Sequence, residues 1–244
     1  MTATPPLVTV TVFRFAGRRA RLWAFAQMAF APPLLRGVPG LRFAKLMGSG
    51  KGLGFTRAPD WGRYALLAVW DDRRTADAFL ADSRFANRYR AQASALATIR
   101  LRPFASHGQW NCQTPFLPVT PAPESYHGPV AVLTRATIRL SRLRAFWGEV
   151  GPVSAVLANA SGFIASLGVG ELPFIRQATL SLWESQAAIR AFAYESPEHA
   201  AVIRRTRDEG WYREEMFARF VVEDAEEGFP LAQDQVAPAT PRHP

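Results

Sequence analysis

The chain repeats itself, and the repeat restricts its fold more than any single motif does. Reading apolar alternation as strands and three-to-four spacing as helices gives a first half of strand 8–15, helix 18–35, strand 41–47, a glycine-rich connection, strand 64–70, helix 75–96 and strand 98–104. The second half reads strand 130–140, helix 143–160, strand 162–169, strand 176–183, a helical region 186–209 and strand 215–222. Both are βαββαβ. Landmarks recur in step: Trp70 with Trp183, Ala78-Phe79 with Ala191-Phe192, Asp82-Ser83 with Glu195-Ser196, and Gly48-Ser49-Gly50 with Gly168-Val169-Gly170. Pro115, Pro118, Pro121 and Pro123 mark an extended linker that continues neither sheet. The expected organisation is an N-terminal half over 1–110, a linker over 111–128, a C-terminal half over 129–228 and a mobile tail over 229–244.

A βαββαβ unit builds a four-stranded antiparallel sheet with both helices on one side, so its other sheet face needs covering. Two such units in one chain can close their open faces on each other. The predicted fold class is α+β: two ferredoxin-like repeats forming a pseudo-dimeric α+β barrel. An enclosed apolar cavity where the halves meet is the expected ligand site.

Composition narrows the setting. With 48% hydrophobic and 20% charged residues the chain is globular, and its formal charge of +9 favours acidic partners. Lys45 and Lys51 are the only lysines among 29 basic residues, so the basicity is almost wholly arginine, suited to planar contacts with carboxylates and phosphates. Cys112 is the sole cysteine, which excludes an intrachain disulfide and a multi-thiolate metal site. The uncharged stretch 22–35 is interrupted by Pro32-Pro33 and falls short of the roughly 20 residues of a spanning helix. Residues 1–8 lack the pattern of a secretory signal. A cytoplasmic protein is expected.

Few motifs carry chemistry. Lys51-Gly52-Leu53-Gly54-Phe55-Thr56 resembles an RNA-recognition signature, but it falls in a Gly-rich connection before Pro59, and the second half has Glu171 in place of Lys51. A flexible loop is the better reading, and no nucleic acid is expected. Nucleophile-elbow, Walker and His-Glu-x-x-His patterns are absent. Of four histidines, His127 is in the linker, His243 in the tail and His107 beside the turn at Gly108. His199 follows Ser196-Pro197, a helix start with Ser196 as N-cap, and shares a face with Val202, Ile203 and Thr206. A helix N-terminus keeps imidazole neutral, the form that ligates a metal, although the spacing alone favours a core-edge or capping histidine. Arg14, Arg139, Arg135 and Arg176 lie in strand-like runs, and any of them facing inward would need an anion.

Taken together, Leu133-Thr134-Arg135-Ala136-Thr137, Phe146-Trp147, Leu167-Gly168-Val169-Gly170-Glu171, Trp183, His199, Trp211, Glu214-Glu215 and Ala218-Arg219-Phe220 resemble the spheroidene monooxygenase family of acyclic carotenoid 2-ketolases. Phe13-Arg14-Phe15, Leu22-Trp23, Gln27-Met28, Trp61 and Ala68-Val69-Trp70 extend the resemblance to the first half. It implies an oxygenase that hydroxylates and then ketonises C2 of acyclic carotenoids, using dioxygen, reduced ferredoxin and the iron of haem b. Under it, His199 is the axial ligand, and Arg135 and Arg139 are candidates for propionate or distal contacts. This reading sets the imidazole against an apolar chamber between the halves. The basic surface would meet acidic ferredoxin or an anionic membrane, which puts the protein in the cytoplasm or peripheral to the inner or photosynthetic membrane. The alternatives are a tandem RNA-recognition protein and a cofactor-free monooxygenase on the same barrel.

Overall fold

The computed structural model describes residues 5–52, 56–122, 126–195, 204–206 and 208–230, the side chains of 151–155 and 193–195 excepted. The first half runs β1 (Leu7–Arg14), α1 (Gly17–Phe30), a 3-10 turn, β2 (Leu41–Gly50), β3 (Pro59–Trp70), α2 (Arg73–Asp82), α3 (Arg84–Gln92) and β4 (Ala95–Gly108). The second runs β5 (Val130–Ile138), a 3-10 turn, α4 (Leu143–Ala158), β6 (Phe163–Leu172), β7 (Arg176–Trp183), α5 (Gln186–Glu195) and β8 (Tyr212–Ala225). Eight strands close into one barrel in the order β1-β3-β2-β6-β7-β5-β8-β4, with every neighbour antiparallel. This is the pseudo-dimeric α+β barrel expected from the repeat. The halves join at two seams, β2–β6 and β4–β8. Closure turns the inner sheet faces on one another, so no open sheet remains on which bases could stack.

Alternation along each strand assigns its two faces. Val8, Val10 and Val12 of β1 point into the lumen, while Leu7 and Phe13 point to the helices, and all are buried. The helix expected over 75–96 is in fact two helices and a strand start. Ser83 is extended and its hydroxyl accepts from the Ala86 N–H at 3.0 Å, starting α3 afresh, and β4 already begins at Ala95. Periodicity could not show this, because both helices keep one apolar face. Pro32 ends α1 in a 3-10 turn.

The lumen is filled with side chains, which corrects the expected chamber. One continuous apolar cluster takes residues from all eight strands, among them Met47, Leu67, Ile99, Leu133, Leu180 and Phe220. An eight-stranded barrel is just wide enough for its own side chains to fill. Trp110, the last residue of the N-terminal half, and Phe116 of the linker are fully buried in that cluster, so the proline-rich segment packs into the barrel as well as joining the halves.

The register also corrects one landmark. Gly168 lies opposite Thr179 in the second half, where Leu46 lies opposite Leu66 in the first, so Gly168 occupies the place of Leu46, two residues from Gly48. Gly170 is the counterpart of Gly48, and these two pair with each other across the β2–β6 seam.

Candidate functional site

With the lumen full, the layers between sheet and helices become the place to look, and here the halves differ. In the first half this layer is dense: Phe13, Leu46, Tyr64 and Leu66 pack with Phe79, Phe85 and Tyr89 in one buried cluster. Strand pairing identifies the counterparts, because Leu7 faces Trp70 in one half as Val130 faces Trp183 in the other. Counting along the strands, Phe13, Leu46, Tyr64 and Leu66 give way to Ala136, Gly168, Gln177 and Thr179. Four bulky apolar side chains are replaced by two very small ones, an amide and a hydroxyl.

Apolar packing on this side of the C-terminal sheet is accordingly split. At one end Ile138, Phe146, Trp147 and Trp211 cluster, and at the other Val130, Trp183 and Ile189. Between them lie Thr134, Ala136, Ser166, Gly168 and Thr179. The Ser166 hydroxyl is buried and has no hydrogen-bond partner among the described residues, an unusual state for a polar atom that a ligand acceptor or donor would relieve. Among the described residues, α1 lies against β2 and β3, whereas α4 packs on the C-terminal sheet through Phe146 and Trp147 at one end and Leu157 at the other. A layer with a floor of small residues and aromatic walls at both ends suits a flat or elongated apolar ligand. Burial pushes the Tyr212 phenol, beside Phe146, up to about 12, so it stays a neutral donor at one wall.

Of the predicted site residues, Arg135 and Arg139 do not converge. Arg135 is buried on the lumen side of β5, and the anion it needs is supplied by the chain. Its Nη1 donates to Glu214, Glu171 lies 3.5 Å from Nη2, and the guanidinium stands 5.5 Å from the Trp110 ring. Trp110 Nε1 donates to Glu171 at 2.7 Å, and Lys45 Nζ lies 2.9 Å from the same carboxylate. Burial alone would raise the Glu214 carboxyl, but the N–H groups of Cys112 and Asn111 and the Arg135 guanidinium outweigh it and hold it below the usual range. Arg139 is exposed one residue beyond Ile138, with Nε donating to the Tyr212 carbonyl at 3.2 Å. His199 and His243 lie outside the described residues, and His107 is exposed on β4.

Sequence inspection missed Glu214 as the partner of Arg135, since nothing along the chain marks a pairing between strands that meet only in the barrel. It also missed the thinned C-terminal layer. The signal was there as an absence, visible only when the halves are aligned by strand register.

No family model matches the chain. Among solved structures, an aldoxime dehydratase crystallised with butyraldoxime superposes with a TM-score of 0.60 at 12% identity, covering 92% of this chain and 81% of that one, which is a likeness of fold alone. Sequence relatives are nearer. The spheroidene monooxygenase of Rhodobacter capsulatus is 36% identical over 215 residues, 88% of this chain and 89% of its own length. That of Rubrivivax gelatinosus is 40% identical over 203 residues, 83% of this chain and 77% of its own length. At this identity, over nearly the whole duplicated barrel, the chain belongs to the spheroidene monooxygenase family.

Proposed function

We propose that the protein is a carotenoid monooxygenase that hydroxylates and then ketonises C2 of an acyclic carotenoid of the spheroidene type, with its ligands held between the C-terminal sheet and α4. Family membership supports the reaction class. The observation that carries the location is the replacement of Phe13, Leu46, Tyr64 and Leu66 by Ala136, Gly168, Gln177 and Thr179.

In each round one C–H bond of C2 is replaced by C–O; dioxygen, two electrons and two protons give the alcohol and one water. A second round gives a gem-diol, which loses water to the ketone. A saturated C–H does not ionise to a carbanion able to reduce oxygen, so a cofactor-free route is unfavourable. Haem b would supply oxygen activation, and reduced ferredoxin the electrons. The layer fits such a group: its floor of Thr134, Ala136, Gly168 and Thr179 admits a flat ring system, and Ser166 Oγ offers an unused hydrogen-bonding group. His199 is the residue that would hold the haem iron. Its counterpart in the first half by landmark spacing is Ala86, and His199 itself lies outside the described residues. Exposed Arg139 at the rim would meet a propionate, whereas Arg135 is committed to Glu214.

Haem added to the purified protein should give a Soret band that His199→Ala abolishes, and turnover of spheroidene should require oxygen and reduced ferredoxin. Turnover by protein that takes up no haem would overturn the cofactor assignment and leave the reaction class intact.

A further inference from the structure

α1 is apolar on both of its faces. The inner face packs Ala20, Trp23, Ala24 and Met28 against the core, with Gln27 buried among them at 4% exposed. Its outer face carries Leu22, Phe25, Ala26, Ala29 and Phe30, the three-to-four spacing of an apolar stripe. Leu22 and Phe30 are each 69% exposed and Phe25 is 55% exposed. Trp61, at the start of β3 and 54% exposed, extends the patch, its ring 5.4 Å from that of Phe25. Large apolar side chains scattered singly need no explanation, but a contiguous stripe of them does.

Charge identifies what covers it. Arg18 and Arg19 continue the stripe at the helix N-terminus, and Arg21 lies one turn from Phe25. Residues 1–59 contain no Asp or Glu, so the nine basic residues there equal the whole net charge of +9. Residues 60–244 hold the 20 acidic residues and the other 20 basic ones, and are neutral in sum. A second copy of this chain is therefore a poor occupant, because mating the two faces would bring like charges together. Apolar rings flanked by arginine on one helix face match an anionic bilayer, where the rings enter the acyl boundary and the guanidinium groups meet headgroup phosphates.

We infer that the outer face of α1, with Trp61, docks the protein on an anionic lipid surface through Leu22, Phe25 and Phe30 and the arginines at 18, 19 and 21. The inference needs only this surface. Combined with the proposed function it supplies the route by which a substrate that water does not dissolve reaches the protein.

The test is co-sedimentation of the full chain with vesicles of phosphatidylcholine alone or mixed with phosphatidylglycerol. Sedimentation should require the anionic lipid and weaken with salt. Phe25→Ser/Phe30→Ser and, separately, Arg18→Gln/Arg19→Gln should each lower partitioning by about tenfold or more, with melting temperature unchanged. Binding that ignores anionic lipid, or that both double variants retain, overturns the inference. So does a dimer that Phe25→Ser/Phe30→Ser dissolves, or an acidic protein that takes this face in preference to vesicles. Vesicle binding without carotenoid turnover would leave the docking face standing and remove the reaction, and turnover in detergent without vesicle binding would do the reverse.

Discussion

At the scale of single residues, two buried arginines define the barrel's chemistry. Arg63 and Arg135 are each 1% exposed and lie near opposite ends of the lumen, since β1 and β5 run in opposite directions around the closed sheet. Burial brings the Arg63 guanidinium down to about 10, still charged at neutral pH, and its Nε donates to Ser49 Oγ at 2.8 Å. Arg135 has Glu214, and this pair makes stability depend on acid. A carboxyl held below its unfolded value stabilises the fold fully above that unfolded value, about 4.3, and the contribution is lost as pH falls through the lower folded value. Melting temperature should therefore drop between about pH 5 and pH 3 in the native protein, and the drop should be shallower in Glu214→Gln. At pH 7 that substitution should cost about 3 kcal/mol in denaturant unfolding, because it leaves the buried Arg135 charge with the more distant Glu171 as its remaining carboxylate, beside the neutral Asn111 oxygen. An equal acid slope in both proteins would show that the pair does not set it.

At the scale of elements, sequence patterning was a good guide to strands and a poorer one to helix ends. Every expected strand exists, because alternation reports which faces are covered. Several are longer than expected: β2 continues through Gly48-Ser49-Gly50, where glycine suggested a connection, since pairing with β3 and β6 holds the backbone extended. The Ser83 break was legible in Asp82-Ser83, a capping pair read only as a landmark. Ser83→Ala should destabilise the fold by about 1 kcal/mol, measured by chemical unfolding, through loss of the α3 cap. The thinned C-terminal layer gives a sharper test. Thr179→Leu restores the residue found at the equivalent place in the first half, and combined with Ser166→Leu it would add bulk between the two aromatic clusters. The double variant should keep or gain thermal stability while losing carotenoid turnover by 100-fold or more, on the order expected when a site is blocked. Full activity would move the site elsewhere.

At the scale of the whole molecule, the two seams are unequal. β4 and β8 pair from Ile99 to Gly108, whereas β2 and β6 pair only at Gly48 with Gly170 and Ser49 with Val169. The short seam is pinned by Ser49 Oγ, which donates to the Gly168 carbonyl at 3.0 Å while accepting from Arg63. Backbone amides of β2 and β6 at this seam should exchange with deuterium before those of β4 and β8, and Ser49→Ala should speed them further. Uniform protection around the barrel would contradict this. The sequence by itself determined the duplication, the strand count, the alternation and the concentration of positive charge before Asp60, because each is a property of residues in order. Tertiary structure alone decided that the lumen is filled, that Glu214 answers Arg135, that Gly168 stands where Leu46 stands, and that α1 leaves Leu22, Phe25 and Phe30 outside while Trp23 and Met28 pack inward. Those outcomes depend on which strands become neighbours and how much volume their facing side chains share, and neither quantity exists until the barrel closes.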